Sequence, residues 1–549
     1  MFLFRLYSFV TAGFVVFCSG FLYGQSFHLP VPQGDVNKAW MADKGNGTFK
    51  NPILHSDYSD PDAIRVGEDY FMTASSFNCA PGLPILHSRD MVNWTILTHV
   101  FTRQIPVDHF SKPQHGNGVW APAIRYFGGM FYIFYGDPDF GIYMTKAKHP
   151  AGPWTEPHLV KAGKGWIDSC PFWDEDGNAY LVHAFAGSRS GIKSILVLHR
   201  MRPDGTALLD DGVLVFDGHK EHTTVEGPKM YKRNGYYYLF APAGGVATGW
   251  QLVLRSRNIY GPYEAKVVMD QGKTKINGPH QGAWVDTPGG ESWFFHFQDR
   301  EAYGRIVHLQ PMKWVADWPV IGNDPDGDGK GEPVMEFKKP RVGNSFPLAA
   351  PATSDEFDLP RLGLQWQWQA NPQPEWGFPT GYLGFFRLNA VLNPPGFKNL
   401  WDLPNLLLQK IPAPAFSATA KLTFSPNTTG EKAGLVVMGA DYAYIGLEKA
   451  DGQLRLILSS CKAADKGSAE TVHVSQPVSS NTVYFRVEVK EPAICSFSYS
   501  TDGKTFQPVG TPFEAKPGRW IGAKIGLFCS RTQVTNDSGY ADVDWFRVE

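Results

Sequence analysis

Residues 224–243 read Thr-Val-Glu-Gly-Pro-Lys-Met-Tyr-Lys-Arg-Asn-Gly-Tyr-Tyr-Tyr-Leu-Phe-Ala-Pro-Ala. Pro228 to Lys232 predicts a short strand, Arg233-Asn234-Gly235 a turn, and Tyr236 to Phe240 an aromatic strand. Asn-Gly between two such runs is the strongest short hairpin signal. A carboxylate, Glu226, stands in front of the hairpin, and the Gly-Pro after it marks where the strand begins.

The same pattern recurs four more times. Asp60-Pro61 precedes Ala63-Ile64-Arg65-Val66, a turn at Gly67-Glu68-Asp69, and Tyr70-Phe71-Met72. Trp120-Ala121-Pro122 precedes Ala123-Ile124-Arg125-Tyr126, Gly128-Gly129 and Phe131-Tyr132-Ile133-Phe134. Asp168 precedes Cys170-Pro171-Phe172-Trp173, Asp176-Gly177 and Tyr180-Leu181-Val182. His280-Gln281-Gly282 precedes Ala283-Trp284-Val285, Pro288-Gly289-Gly290 and Trp293-Phe294-Phe295. A period of about 50 to 60 residues with several strands per unit predicts a β-propeller, here of five blades. Each leading residue would enter the innermost strand of its blade at an equivalent point. Asp60, Trp120, Asp168, Glu226 and His280 are thereby brought into one axial funnel.

Around this core the chain divides in three. Residues 1–24 read as a secretory signal peptide: Arg5 is the only charged residue before Asp35, and an apolar run from Leu6 to Phe21 follows. A retained anchor is the alternative. No other stretch is long and apolar enough to span a bilayer, so the mature chain is expected to be secreted or periplasmic, without a membrane span. Residues 25–345 form the propeller domain. Phe346 to Pro351 is an Ala/Pro-rich linker, and residues 353–549 carry many short alternating strands, such as Phe485-Arg486-Val487-Glu488-Val489-Lys490. These predict a β-sandwich of jelly-roll type. The fold class is all-β.

The formal net charge of −2 comes with no basic patch, which argues against a nucleic-acid partner. Beyond Cys18, five cysteines remain with no CxxC spacing, so neither a metal cluster nor complete internal disulfide pairing is expected. Asp324-Pro325-Asp326-Gly327-Asp328 has the start of a calcium loop, but Met335 stands where its closing Glu is needed, so it reads as a solvated turn.

Carboxylates converging in an aromatic-lined funnel are the equipment of glycoside hydrolysis: one protonated to donate to the leaving oxygen, one ionised to activate water. A third carboxylate nearby raises the acid's pKa by repulsion. Phe77, Trp120 and Trp250 offer flat faces for sugars, and His280 and Arg305 can hold hydroxyls.

Asn51-Pro52-Ile53-Leu54, Asp60-Pro61-Asp62-Ala63-Ile64, Trp120-Ala121-Pro122, Ile167-Asp168-Ser169 and Glu226-Gly227-Pro228, in this order, resemble glycoside hydrolase family 43. The resemblance implies an inverting exo-glycosidase, a β-xylosidase or α-L-arabinofuranosidase, acting on plant oligosaccharides or polysaccharides. It implies Asp60 as general base, Glu226 as general acid and Asp168 as the residue that tunes and orients the acid. It implies substrate contacts at Arg305 and Phe77, and a central His280 associated with a calcium ion or its waters; no cofactor is required. The second domain, from Phe357 through Gln365-Trp366-Gln367-Trp368 to Asp542-Val543-Asp544-Trp545, resembles the concanavalin-like sandwich of xylosidase-type members. One departure is Ser-Cys-Pro after Asp168, where Asp-Pro-Ser is common. The rival reading is a propeller that binds glycans without cleaving them. The short linker and the resemblance to members whose second domain narrows the pocket also imply that the segment from Gly518-Arg519-Trp520 towards Phe528 forms a wall near the site.

Overall fold

The computed structural model describes Phe27, Leu29 and residues 39–549; the signal-peptide reading, 1–24, falls outside the described residues. The chain is nearly all β: a five-bladed propeller followed by a β-sandwich. Each blade is a four-stranded antiparallel meander, with its strands in sequence order from axis to rim. The inner strands are Asp62–Val66, Trp120–Phe127, Trp166–Trp173, Lys229–Arg233 and His280–Asp286.

The hairpin of blade four shows why the repeats fold this way. Arg233 pairs with Tyr236, so Asn234 and Gly235 form a two-residue turn. Both have positive φ, 50° and 73°, as the twist-matched hairpin turn requires. Gly128 and Gly129 do the same in blade two, at 56° and 79°. Tyr236 and Tyr238 pack on the side facing blade five and Tyr237 on the side facing blade three, the alternation of a strand.

Five separate apolar clusters fill the five gaps between neighbouring blades. The ring therefore closes by face-to-face packing rather than by one central core. Its seam is stitched from both ends. Thr48–Lys50 pairs with Glu336–Lys338, beyond blade five. Asn51 Nδ2 donates to the carbonyls of Leu309 and Val334, and Leu309 N donates back to Asn51 Oδ1, each within 2.9 Å.

The sandwich stacks an eight-stranded and a seven-stranded sheet over a common apolar core. Ala302, Tyr303 and Ile306 of the propeller belong to that same core. The segment before it is no free tether: Ala349 and Ala350 are buried, and Ala349 N donates to Asn93 Oδ1. The aspartates near 324 form a self-satisfied turn, with Asp324 accepting from Gly327 N and Gly329 N. Cys79, Cys170, Cys461, Cys495 and Cys529 are all buried free thiols. Among the described residues no helix is long and apolar enough to cross a membrane.

Candidate active site

The inner strands all begin with an irregularity. Asp60, Ala121, Asp168, Gly227 and Gln281 have φ of 53°, 36°, 58°, 60° and 41°. In blades two, three and five the strand register slips by one at this point, between Trp120 and Ala123, Ile167 and Cys170, and His280 and Gly282. These are β-bulges, which bend a strand and re-aim its side chains. Four of the five residues are not glycine, so the conformation stores strain at the mouth of the axis.

This corrects the sequence reading of five equivalent leading residues. Asp60 and Asp168 carry the positive φ themselves, whereas Trp120, Glu226 and His280 stand one residue before it. The two aspartates leave their strands in the same way, and the glutamate leaves in another. A positive φ at a residue other than glycine has no sequence signal, so the offset was not legible.

Asp60 is buried and held on both oxygens. Arg305 Nη1 donates to Oδ1 at 3.0 Å and Oδ2 at 3.2 Å, and Ser75 Oγ donates to Oδ2 at 2.6 Å. Ser75 in turn accepts from Ala121 N, linking blades one and two. Arg305 is fixed from behind by Asp57, whose Oδ1 accepts the Arg305 backbone N–H at 3.0 Å. A side chain at Gly304, with φ of 73°, would collide with that carboxylate.

Asp168 accepts one hydrogen bond, from Gly227 N at 2.8 Å. Burial, and then the negative charges of Glu226 and Asp60, push its carboxyl up to about 8. It is therefore a neutral carboxylic acid between two neighbours that feel its state. Glu226 is the most open of the three, its side chain 25% exposed, and His280 Nε2 lies 3.0 Å from its Oε1.

The aromatic residues are placed unequally. Trp120 stands at the mouth with its Nε1 donating to Gly116 O. Trp250 opens the third strand of blade four at the same rim, edge-on to His222. Phe77 is 3% exposed, with its backbone bridged to Val119, so it lines the site from beneath rather than standing free. The sandwich supplies Trp520, its ring centroid 6.1 Å from that of Trp120 and 5.9 Å from the Arg305 guanidinium. This is the wall suggested by Gly518-Arg519-Trp520. Ser75, Asp57 and Arg189 had no sequence signal. Arg189 bridges Asp139 and Asn117 beside Trp120.

Around His280 the side chains alone do not make up the shell of a calcium ion. Calcium takes six to eight oxygen ligands. Nε2 of His280 is taken by Glu226, Nδ1 is a buried nitrogen without a partner, and Gln281 Nε2 beside it is likewise unpartnered. These suit water on the axis. Among the described residues no group of three or more His, Cys, Asp or Glu is arranged to hold a metal.

A cavity of about 510 Å³ opens at the opposite end of the axis, lined by Arg65, Arg125, Phe172, Tyr231 and Trp284 among others. Its carboxylates are already engaged: Asp174 with Lys232 and Tyr237, and Asp286 with Trp284 and Ser292. The acid end is thus where chemistry can occur.

A propeller with an arginine-held carboxylate, a neutral one and a half-open one at one end of its axis defines a glycosidase-type site. Residues 49–319 match the model of glycosyl hydrolases family 43, and 354–549 that of the β-xylosidase C-terminal concanavalin A-like domain. A β-xylosidase-type protein of Xylanibacter ruminicola is 43% identical over 498 residues, covering 90% of this chain and 89% of that one. The β-xylosidase of Formosa agariphila is 33% identical, with 94% and 93% covered. A non-reducing-end α-L-arabinofuranosidase of Bacteroides ovatus is 28% identical, with 92% and 96% covered. The crystal structure of a xylan β-1,4-xylosidase from Bacillus halodurans superposes with a TM-score of 0.80 at 25% identity, covering 91% of this chain and 99% of that one. The chain belongs to glycosyl hydrolase family 43 and is a glycosidase.

Proposed function

We propose that the chain is an inverting exo-glycosidase that releases xylosyl residues from the non-reducing ends of plant oligosaccharides or polysaccharides. The observation that carries this reading is the division of labour among the three carboxylates. Asp60, held on both oxygens by Arg305 and Ser75, is the general base that activates water. Glu226, open to the funnel and oriented by His280, is the general acid that protonates the leaving oxygen. Asp168, neutral between them, holds the acid's surroundings and keeps a second charge away from it. The acid and base stand on blades four and one, a placement that suits a water between Asp60 and the anomeric carbon. These steps run on carboxylates and need no cofactor. Trp120 and Trp520 narrow the mouth, which supports attack on a chain end.

Arabinosyl release is the second reading, favoured by the Bacteroides ovatus relative. Nitrophenyl β-xylopyranoside and α-arabinofuranoside assayed side by side separate the two. A purely glycan-binding propeller would cleave neither. The apolar run at Leu6 to Phe21 supports export of the enzyme, testable by N-terminal sequencing of the protein recovered outside the cytoplasm.

Glu226→Gln should keep the fold and lose roughly 10²–10⁴ in rate. Aryl glycosides with good leaving groups should suffer less, since they need little protonation; equal losses on both substrate types would remove Glu226 from the role. Proton NMR of the first sugar released, read before mutarotation, should show inverted configuration. Retention would overturn the assignment of Asp60 as a base acting through water.

A further inference from the structure

At the buried seam between the domains a thiol meets an amine. Cys79 lies two residues after Phe77 in the loop at the mouth, and Lys524 opens the sandwich strand Lys524–Arg531. Lys524 Nζ is 2.8 Å from Cys79 Sγ, and its other partner is Gln367 Oε1 at 3.4 Å. Both residues are buried, at 4% and 5% exposure. Lys410 shares the pocket, its amine pushed down to about 8 by burial and then by the charge of Lys524. Two amines thus face one thiol, with Asp57 the nearby carboxylate.

We propose that Cys79 and Lys524 are joined on oxidation by a covalent Sγ–O–Nζ bridge. The separation of 2.8 Å is too long for a direct sulfur–nitrogen bond but is spanned by one bridging oxygen with little movement. The reaction balances with one dioxygen. The S–H bond and one N–H bond of the neutral amine break, and one oxygen atom enters between sulfur and nitrogen. The other leaves as water with the two hydrogens, and sulfur and nitrogen together give up the electrons that dioxygen gains. Two hydrogen peroxide molecules serve equally, leaving three waters. The bridge ties the loop of Phe77 to the strand that follows the Trp520 wall. That loop is braced already, because Gln104 Nε2 donates to the carbonyls of both Phe77 and Cys79.

The test is peptide mapping of the full chain, kept reduced under nitrogen or exposed to air and then to hydrogen peroxide. The expected result is an oxidised species heavier by one oxygen and lighter by two hydrogens. It should contain one cross-linked peptide pair holding Cys79 and Lys524, and dithiothreitol should reverse it. Cys79→Ser and Lys524→Arg should each abolish the pair, while Cys461→Ser should keep it. The proposal is overturned if oxidised wild-type protein carries Cys79 only as free thiol, sulfinic acid or sulfonic acid, or if the link persists in Lys524→Arg. Should a variant fail to fold, the wild-type map alone decides.

Discussion

Asp168 carries the strongest conflict between stability and function in the site. Its carboxyl is taken out of water and set beside Glu226 and Asp60, with one backbone N–H for compensation. Its pKa rises from 3.8 unfolded to about 8 folded. A raised acid binds more protons folded than unfolded, so its contribution is fully present below about pH 4 and is lost as the pH rises through about 8. Asp168→Asn removes that titration while keeping an oxygen for Gly227 N. The variant should melt close to wild type at pH 4 and higher than wild type at pH 9, as read by thermal unfolding. It should also lose roughly 10²-fold in kcat, because the amide cannot take part in the proton balance with Glu226. A wild-type melting temperature that is flat from pH 5 to pH 9 would refute the buried, charge-raised state of this residue. The design fits the general trade of stability for function at strained polar sites.

At the scale of the elements, the blades hold themselves and the seam holds the ring. Asn51 satisfies two carbonyls and one N–H of the far side of the ring with a single buried side chain. Asn51→Ala would leave those groups without partners, and an unsatisfied buried group costs about 1–3 kcal/mol. The expected outcome is a loss of about 2–5 kcal/mol in denaturant unfolding, with the far-UV spectrum retained. A loss below about 0.5 kcal/mol, the size of an ordinary surface change, would show that packing alone closes the ring. The elements were largely legible beforehand. Asn234-Gly235 and Gly128-Gly129 announce their hairpins because only such residues take two successive left-handed conformations without strain. The acids were legible too, since each precedes an aromatic strand pair. The one-residue offset between Asp168 and Glu226 was not, because Asp168 takes the positive φ itself while Glu226 leaves it to Gly227. Nor were Ser75 and Asp57, whose partners lie far along the chain: Asp57 reaches Arg305 and Gly522.

At the scale of the whole molecule, the two domains share one apolar core and one site. Tyr303 of the propeller donates its hydroxyl to Pro414 O and accepts from Ala493 N, both in the sandwich. Ala80 and Trp368 exchange backbone hydrogen bonds across the seam, and Gly522 N reaches Asp57, the residue that fixes Arg305. The sandwich therefore braces the backbone of the arginine that holds Asp60, besides supplying Trp520. Trp520→Ala should lower kcat/KM about 10- to 100-fold, equivalent to about 1.4–2.8 kcal/mol of transition-state binding. Trp520→Phe should recover most of it, because a flat ring remains. A chain ending at Pro351 should be poorly soluble, since Ala302, Tyr303 and Ile306 would face water. The intact chain should unfold in one calorimetric transition whose measured and van't Hoff enthalpies agree. Two resolved transitions, or a soluble truncated propeller with full activity, would show instead that the sandwich is an appendage and that Arg305 is held by the propeller alone.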